Sequence, residues 1–404
     1  MPQPLAGIKV VELASYAMAP FACAIMADWG ASVIKIEPPK GDQLRRMTAW
    51  NIPAIEGCSS YMFAVANRGK RSIGLDVTRP EGRKILEDLL READVFITNF
   101  LPDVQRRLHI RPEDIRAINP RVVCGRGSGY GPRGEEADKG GYDGSVYWSR
   151  TGMVQAVTPP GLHPLRMPGP SLGDAHSGTG LAAGVMAALL HRERTGEALT
   201  VDTSLLLSGM WGMQASYGGL ASIDQEAFTY PERLERADNP LTFPYRTADG
   251  RFVHISMLDS EKFWPGLCGA LGRLELVDDP RFNSKAQRSA NRSDLVSLLD
   301  EIFGSQPLAH WVEILATQAG PWAVVTLPGE VRHDSQAIAN DYIQEAPWDA
   351  GRTIPMVSAP AQFNQSSPVL SAAPAFAADT DAVLGELGMT AEEIAAAREA
   401  GSIC

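Results

Sequence analysis

The amino-acid sequence predicts an α/β fold in which a large parallel-sheet domain carries an inserted small α+β domain. Strand-like and helix-like segments alternate through the first third of the chain, which is typical of βαβ units. A β-hairpin signal followed by helical segments interrupts this pattern in the second half. The chain has 404 residues, more than the roughly 250–300 that one hydrophobic core usually serves, so two domains are expected.

The first βαβ unit lies near the start of the chain. Apolar residues predict a strand at Ile8–Leu13, a helix over Pro20–Trp29 and, after Gly30, a second strand at Ser32–Glu37. Such a unit implies a parallel sheet. The turn Ala14–Ala19 contains no glycine, so the GxGxxG fingerprint of dinucleotide binding is absent. We therefore predict a Rossmann-like sheet that does not bind NAD.

The alternation of strands and helices continues after this unit. Further strands are predicted at Arg71–Val77, Asp94–Thr98 and Arg121–Cys124, and Pro80 marks the first turn of a helix between the first two. Residues Gly125–Gly144 are rich in glycine and charge, as expected of a loop that lines a site.

The stretch Ser171–Gly180 precedes an apolar run and contains the candidate reacting residue, Asp174. We predict a helix from Asp174 to a stop at Gly196, with cations in its last turn. A carboxylate at the start of a helix, with glycines behind it, leaves room for a substrate. The alternative is that Asp174 only N-caps the helix, because Asp is a preferred N-cap residue.

The next segments complete the first domain. A strand is predicted at Leu199–Val201, and Asp202 or Thr203 is predicted to cap the helix that follows. Helix and strand signals fade from about Ala221 to Asn239, which we interpret as a crossing linker.

The small domain begins with a hairpin. Thr242–Ile255 has Asp249-Gly250 between two strand-like runs, and helical patterns follow at Ser260–Leu271, Ser293–Phe303 and Leu308–Gln318. Together they predict an α+β domain.

The C-terminal part is polar and rich in Pro and Ala up to Ala378. Thr390–Glu393 then forms a capping box for a last helix, and we expect this tail to pack on the first domain. The predicted domains are therefore 1–220 plus 330–404 for the large one and 221–329 for the small one with its linkers.

Composition narrows the classes of partner. The net charge of −11 argues against nucleic acid. The apolar run Leu181–Leu190 is too short to cross a membrane, and the first residues, Met1–Gly7, lack the pattern of a secretory signal. Five cysteines are scattered without the spacing of a zinc site, so we expect no metal and a cytoplasmic location.

Four stretches together resemble one family, the family III CoA-transferases, also called the CaiB/BaiF family. They are Pro4–Glu12, Asp28–Glu37, Asn67–Ile73 and Leu172–Asp174. The resemblance spans nearly the whole chain. It implies that Asp174 is a nucleophile and that the protein moves CoA from an acyl-CoA donor to a carboxylic acid acceptor. It also implies an interlaced homodimer.

The implied reaction passes through a mixed anhydride and an aspartyl-CoA thioester on Asp174. A carboxylate can attack a thioester without a general base, and the thioester bond energy is conserved, so neither ATP nor a metal is needed. Backbone N–H groups would stabilise the oxyanion. Gly140-Gly141 and Gly178–Gly180 are both candidates for that role.

The resemblance also implies which residues bind CoA or acyl-CoA. The predicted set is Ala17, Met18, Lys40, Arg71, Leu75, Asn99, Phe100, Arg107, Tyr142 and Asp143. Lys40 is included because Pro38-Pro39 stands where some relatives carry arginine. Candidate phosphate ligands are Arg45, Arg46, Lys70, Arg71, Arg106 and Arg107. A further group of apolar residues could line a pocket for the acyl group or belong to the hydrophobic core, and it consists of Trp148, Met210, Trp211, Met213 and Tyr217.

Two other functions remain open at this point. One is an isomerase of the α-methylacyl-CoA racemase type, which shares the fold but uses a histidine before an aspartate. Here Tyr142 precedes Asp143, and tyrosine is a poor proton carrier at neutral pH, so transfer is favoured. The other is a CoA-binding protein without catalysis. A glycine-rich loop of some relatives has no counterpart near Asp238–Gly250, which predicts an acid larger than formate or oxalate.

Overall fold

The structure, a computed structural model, describes residues 2–48, 52–159, 161–227 and 239–404. These residues form two compact units. The first, the sheet domain, comprises the described residues up to 158 together with 163–227 and 332–404; the second, the small domain, comprises the described residues of 159–162 and 239–331. Of the predicted linker, residues 228–238 lie outside the described part of the chain, and residues 221 and 222 belong to a helix.

Within the described residues, the sheet domain is built on a six-stranded sheet in which every neighbouring pair is parallel. The strands are β1 (Lys9–Leu13), β2 (Ser32–Glu37), β3 (Arg71–Gly74), β4 (Val95–Thr98), β5 (Val123–Ser128) and β6 (Thr200–Ser204). Their order, β3-β2-β1-β4-β5-β6, is that of a Rossmann-like sheet and confirms the predicted parallel architecture. From β1, the strands β2 and β3 follow toward one edge of the sheet and β4, β5 and β6 toward the other, so the strand order reverses between β1 and β4.

Helices cover both faces of this sheet. The helices of this part of the sheet domain are α1 (Met18–Asp28), α2 (Tyr61–Asn67), α3 (Pro80–Glu92), α4 (Pro102–Arg107), α5 (Pro112–Ile118), α6 (Met153–Val157), α7 (Leu172–Thr195) and α8 (Leu205–Ser222). One core lies between the sheet and α3 and α5, and the other between the sheet and α1 and α7. Side chains alternate along each strand, so Val11 enters the first core and Val10 the second.

Three predicted boundaries were wrong. Gly125–Ser128, predicted as the start of a loop, continues β5, because β6 runs alongside it as far as Ser204 and pairs with it in register. The helix predicted to be capped by Asp202 or Thr203 is instead capped by Ser204, whose hydroxyl accepts a hydrogen bond from the Leu207 N–H. The predicted strand Arg71–Val77 ends at Gly74.

The small domain confirms the predicted hairpin and helices. Its strands are β7 (Pro244–Arg246), β8 (Phe252–Ile255) and β9 (Trp322–Val324), all antiparallel. Its helices are α9 (Ser260–Ala270), α10 (Glu275–Asp278), α11 (Lys285–Ala290), α12 (Arg292–Gly304) and α13 (Leu308–Leu315). They enclose a core of their own around Trp264 and Phe303.

The C-terminal tail packs on the sheet domain. Its elements are α14 (Ser335–Ala339), β10 (Ile343–Pro347), β11 (Thr353–Val357), α15 (Thr380–Glu386) and α16 (Ala391–Glu399). The hairpin of β10 and β11 was not predicted from the sequence. Ile403 pairs with Leu75 just beyond β3, and Thr390 and Glu393 form the predicted capping box of α16. In the described part of the chain, no helix combines the length and apolar character needed to cross a membrane.

Candidate active site

A cavity of about 730 Å³ in the sheet domain opens at the carboxyl ends of β1, β4 and β5. This is the point where strand order reverses, which is where open α/β sheets bind ligands. We call it the main cavity. Its lining combines the turn after β1 (Tyr16, Ala17, Met18), the turn after β4 (Asn99, Leu101), the end of β5 (Ser128, Gly129), the segment Gly140–Gly144 and the start of α7 (Ser171, Asp174).

Asp174 lines this cavity from the first turn of α7. The N-cap of the helix is Ser171, which has a left-handed backbone (φ 61°), so Asp174 is not the cap. The Ser171 side chain hydrogen-bonds the Asp174 carboxylate. The helix therefore begins at Leu172, two residues before Asp174, and the Asp174 carboxylate is not used as its cap.

Glycines place this helix close to its neighbours. A Cβ at Gly173 would lie 2.4 Å from the Tyr147 ring, and a Cβ at Gly178 would lie 2.7 Å from the Met18 carbonyl oxygen. Gly178 thus serves helix packing and does not line the main cavity, whereas Gly140 and Gly141 do. Of the two glycine segments considered for the oxyanion, only Gly140-Gly141 borders the space in front of Asp174.

Asp174 and Asp143 form a pair of carboxylates that has no cationic partner among the described residues. Burial, followed by the negative charge of Asp143, raises the pKa of Asp174 to about 7. Burial also raises the pKa of Asp143, although Asp143 accepts hydrogen bonds from the N–H groups of Gly144 (2.8 Å) and Ser171. No donor among the described residues reaches its Oδ2. Asp174 therefore titrates near neutral pH, unlike an ordinary aspartate.

Two tyrosines stand together at the same cavity. Tyr16 has a left-handed backbone (φ 63°), and its ring meets that of Tyr142 edge to face at 5.6 Å. The Tyr16 hydroxyl donates to Gln43 (2.6 Å), and the Tyr142 hydroxyl lies 3.5 Å from that of Tyr16. The hydrogen bond with Tyr142, followed by burial, raises the pKa of Tyr16 to about 12. The Tyr16 hydroxyl therefore stays protonated at physiological pH and can donate a hydrogen bond.

A buried charge cluster supports the turn that carries Tyr16. Glu12 lies between Lys35 (2.9 Å) and Lys70 (2.6 Å), and Lys35 also contacts Asp42 (2.9 Å). Lys35 donates to the Ala14 carbonyl, and Asp42 accepts from the Tyr16 N–H (3.3 Å).

From the other side, the side-chain amide of Asn99 bonds both the N–H and the carbonyl of Ser15. The turn is thus held at consecutive residues, which fixes Tyr16 in its unusual conformation.

The structure brings six of the eleven predicted site residues together. Ala17, Met18, Asn99, Tyr142, Asp143 and Asp174 line the main cavity. The other five lie elsewhere. Leu75 is buried and Phe100 partly buried in the core with α3, and Lys40 and Arg107 are exposed. Arg71 is paired with Glu386.

Most candidate phosphate cations are engaged in the protein itself. Lys70 is buried against Glu12, so the sequence-based expectation of a phosphate ligand there was wrong. Arg45 pairs with Glu37. Arg46 donates to the Lys40 carbonyl, and Arg106 pairs with Asp103 and Asp138. Of these cations, Arg46 and Arg107 have no ion-pair partner among the residues that the structure describes.

Sequence reasoning missed much of the apolar lining. Apart from Trp148, which was a candidate, the main cavity is walled by Leu44, Met47, Met62, Val154, Pro164, Leu165 and Met167. Arg166 is the one cationic residue among the described lining residues. The other candidates for an acyl pocket, Met210, Trp211, Met213 and Tyr217 on α8, do not line it. In the described residues no cluster of three His, Cys, Asp or Glu side chains could hold a metal ion.

Comparison with known proteins gives a consistent result. The sequence model of CoA-transferase family III matches residues 5–380. The chain is 32% identical to (R)-2-hydroxy-4-methylpentanoate CoA-transferase of Clostridioides difficile, over 96% of this chain and 97% of that protein. It is 30% identical to cinnamoyl-CoA:phenyllactate CoA-transferase of Clostridium sporogenes, over 96% and 94%. The crystal structure of a CaiB/BaiF family protein from Brucella suis superposes with a TM-score of 0.82, at 28% identity, over 96% of this chain and all of that one.

Proposed function

Because the chain belongs to CoA-transferase family III, we propose that it transfers CoA between carboxylic acids through covalent intermediates on Asp174. The observation that carries this proposal is the carboxylate of Asp174, which borders a large cavity at the strand-order reversal and has no cationic partner in the part of the chain that the structure describes. A carboxylate held in an ion pair would be a weaker nucleophile. This one has no ion pair to break before it attacks.

The proposed sequence starts with an acyl-CoA donor. An oxygen of ionised Asp174 attacks the thioester carbonyl, the carbon–sulfur bond breaks, and CoA leaves as a thiolate. The product is a mixed anhydride between Asp174 and the donor acid. The thiolate then attacks the aspartyl carbonyl and displaces the donor carboxylate, which leaves an Asp174–CoA thioester.

The acceptor acid repeats these steps in reverse. Its carboxylate attacks the aspartyl-CoA thioester and expels the thiolate, and the thiolate attacks the acyl carbonyl of the new anhydride. Acyl-CoA of the acceptor is released and Asp174 is regenerated as a carboxylate. One thioester is broken and one is formed, so the reaction needs no other source of energy.

Each tetrahedral intermediate places negative charge on an oxygen that needs hydrogen-bond donors. We assign this role to backbone N–H groups of Gly140-Gly141. Gly140 has no atom within 4 Å of the place where a Cβ would stand, which leaves an acyl group free to approach the backbone. Gly178–Gly180 are omitted, because Gly178 packs against α1.

We propose that CoA lies along the carboxyl ends of the strands. Ala17, Met18, Asn99, Tyr142 and Asp143 border its reacting end. Leu75 and Phe100, which the resemblance adds to the CoA site, lie in the core with α3 and do not line the main cavity. Among the cations, the exposed Lys40 and Arg107 are retained as phosphate ligands. Arg71 is omitted, because a phosphate would have to displace Glu386.

The apolar walls of the main cavity favour an acid with an apolar side chain over formate or oxalate. The two relatives described above are named for acids with branched or aromatic side chains. The donor and the acceptor for this chain are therefore proposed to be of that general class, in a cytoplasmic pathway.

We further propose a homodimer, with the chains interlaced. Helix α8 exposes the large apolar residues Leu207, Met210 and Trp211, which would be covered by a partner subunit. Light scattering coupled to gel filtration should give the mass of two chains. A stable monomer would contradict this part of the proposal.

The test of the proposed function is intact mass spectrometry. The protein is mixed with acetyl-CoA, butanoyl-CoA, octanoyl-CoA and phenylpropanoyl-CoA, and Asp174→Ala is the control. We expect a covalent CoA adduct that requires Asp174 and that disappears when a carboxylic acid is added. Exchange of the acyl α-proton with deuterated water and no adduct would instead indicate an isomerase. Reversible CoA binding with neither result would indicate a non-catalytic protein.

A further inference from the structure

A second cavity of the sheet domain, about 370 Å³, lies against the main one. We call it the side cavity. Its lining within the described part of the chain carries no charged side chain and consists of Phe21, Tyr61, Met62, Val65, Pro168, Gly169, Pro170, Ser171, Leu172 and Ala175. Met62, Pro170 and Ser171 line both cavities, so the wall between them is one layer of residues. None of the residues predicted from the sequence to form the site belongs to the side cavity alone.

The first turn of α7 borders both spaces. Ser171 and Asp174 line the main cavity, while Leu172 and Ala175 line the side cavity. Consecutive Cα atoms are about 3.8 Å apart, so the wall of the side cavity begins one residue from the reacting carboxylate. An apolar group a few bonds from a carbonyl at Asp174 can therefore reach it.

Met62 is the adjustable part of the wall. It is buried in α2, and its side chain is unbranched with several rotatable bonds. Pro170 and Ser171 are backbone-constrained, the first by its ring and the second by its place at the helix N-terminus. A change of Met62 rotamer is thus the least costly way to connect the two cavities.

We propose that the side cavity binds the hydrocarbon tail of the acyl group undergoing transfer, with Met62 as the movable partition. This inference rests on the proposed function, because it assigns a tail to the acid that reacts at Asp174. Uncharged walls reject a carboxylate or phosphate, since burying an unpaired charge is costly. The site therefore selects acids with an extended or branched apolar chain over acids of two carbons.

The test compares octanoyl-CoA with acetyl-CoA in three variants. Val65→Phe fills the side cavity from α2, at a residue that does not line the main cavity. We expect the ratio of the rates of aspartyl-CoA formation, octanoyl-CoA over acetyl-CoA, to fall by about 10-fold or more, because a filled apolar pocket rejects even one extra methylene to this degree. Val369→Phe makes the same change at a residue that is 90% exposed and lines neither cavity, and should leave that ratio as it is.

Met62→Ala makes the opposite change, because it removes the partition. We expect the same ratio to rise. The inference is overturned if Val65→Phe, with a native thermal unfolding profile, and Met62→Ala both leave the ratio of the unmodified protein unchanged. If Val65→Phe does not fold, the ratio measured for Met62→Ala tests the inference by itself, and an unchanged ratio overturns it.

Failure of the proposed function gives a different result. In that case neither thioester forms an adduct with the unmodified protein. The tail site is then measured by calorimetric titration of the same proteins with octanoyl-CoA and acetyl-CoA. Tighter binding of octanoyl-CoA that Val65→Phe removes supports the side cavity, and equal binding of both thioesters overturns it.

Discussion

Two carboxylates of the sheet domain, those of Glu12 and Asp174, lie in opposite electrostatic surroundings. Glu12 lies fully buried in the charge cluster, between Lys35 and Lys70. Burial alone would raise its pKa, but the two ammonium groups outweigh burial and lower it. Burial also raises the pKa of Asp174, and its charged neighbour is a second carboxylate, Asp143, which raises it further, so that the pKa is about 7. Burial disfavours the ionised form of both carboxylates, and only Glu12 has cations beside it that compensate for this effect.

The difference between the two carboxylates corresponds to a difference in role, structural for Glu12 and reactive for Asp174. In the charge cluster, ammonium groups and backbone carbonyls satisfy the carboxylates and hold the turn that carries Tyr16. At the main cavity the chain leaves the Asp174 charge unpaired, and this costs stability. A nucleophile gains from such a site, because a weakly solvated carboxylate is more reactive. The two regions therefore suggest substitutions that should have opposite effects on stability.

The largest expected effect is that of Asp174→Asn on activity. The amide keeps the shape of the side chain and cannot attack a thioester, so adduct formation should fall more than about 1000-fold. The free energy of unfolding should rise at the same time, because the unpaired charge is removed. Asp278→Asn, at an exposed position of α10, is the matched control and should change neither quantity.

The pH dependence of that stability gain follows from the raised pKa of Asp174. The native state holds this proton more tightly than the unfolded state, whose Asp has a pKa of about 3.9. Native stability from this group is therefore fully present below about pH 4 and is lost as the pH rises through about 7. The advantage of Asp174→Asn should be absent near pH 4 and complete above pH 8. Urea unfolding at several pH values measures it, and an equal gain at all pH values would contradict the assignment.

Breaking the charge cluster should cost the protein stability instead. Lys35→Met leaves Glu12 and Asp42 buried with one ammonium group fewer, and removal of one partner from a buried pair typically costs about 3–5 kcal/mol. Combining it with Glu12→Gln should cost less than the sum of the single changes, because the two residues interact directly. Chemical unfolding of the four proteins measures this coupling, and additive losses would show that the pair does not act as a unit.

The sequence predicted the architecture of the sheet domain well because its pattern is local. Alternating apolar residues locate β1 and β2, and the glycines and Asp174 mark α7, within a few residues. The resemblance to the family gave Asp174, Tyr142 and Asp143, all of which line the main cavity. Burial was harder to predict. Lys70 stands next to Arg71 in a stretch that is typical of exposed cations. Only the three-dimensional structure reveals that Lys70 contacts Glu12.

The walls of the two cavities could not have been read from any one segment. Met62 comes from α2, Leu165 from the segment before α7 and Leu101 from the turn after β4, and no short pattern connects them. The buried charge cluster, in contrast, did leave a signal in the sequence. In β2, Lys35 and Glu37 alternate with Ile34 and Ile36 and share a face with the apolar Val33, which indicates charged side chains on a buried face, and buried charges need partners.

A smaller effect is expected from Asp143→Asn on the pH profile. The amide oxygen can still accept from Gly144 and Ser171, but the charge next to Asp174 is gone. The single-turnover rate of adduct formation in the unmodified protein should rise with pH to half its maximum at about pH 7, because the nucleophile must be ionised. In Asp143→Asn this midpoint should move to lower pH. It should stay above the ordinary value for aspartate, because burial, the larger cause, is unchanged.

The smallest effect should come from an ion pair with similar geometry on the surface. Lys9 Nζ lies 2.7 Å from Glu92, close to the 2.9 Å between Lys35 and Glu12, but both side chains are more than half exposed. Water already solvates these charges, so Lys9→Met should lower the free energy of unfolding by less than about 1 kcal/mol, and added salt should reduce even that. The same substitution at Lys35 should cost several times more and depend little on salt. If the two losses were equal, the ammonium–carboxylate contact itself, rather than its burial, would determine the stability of the charge cluster.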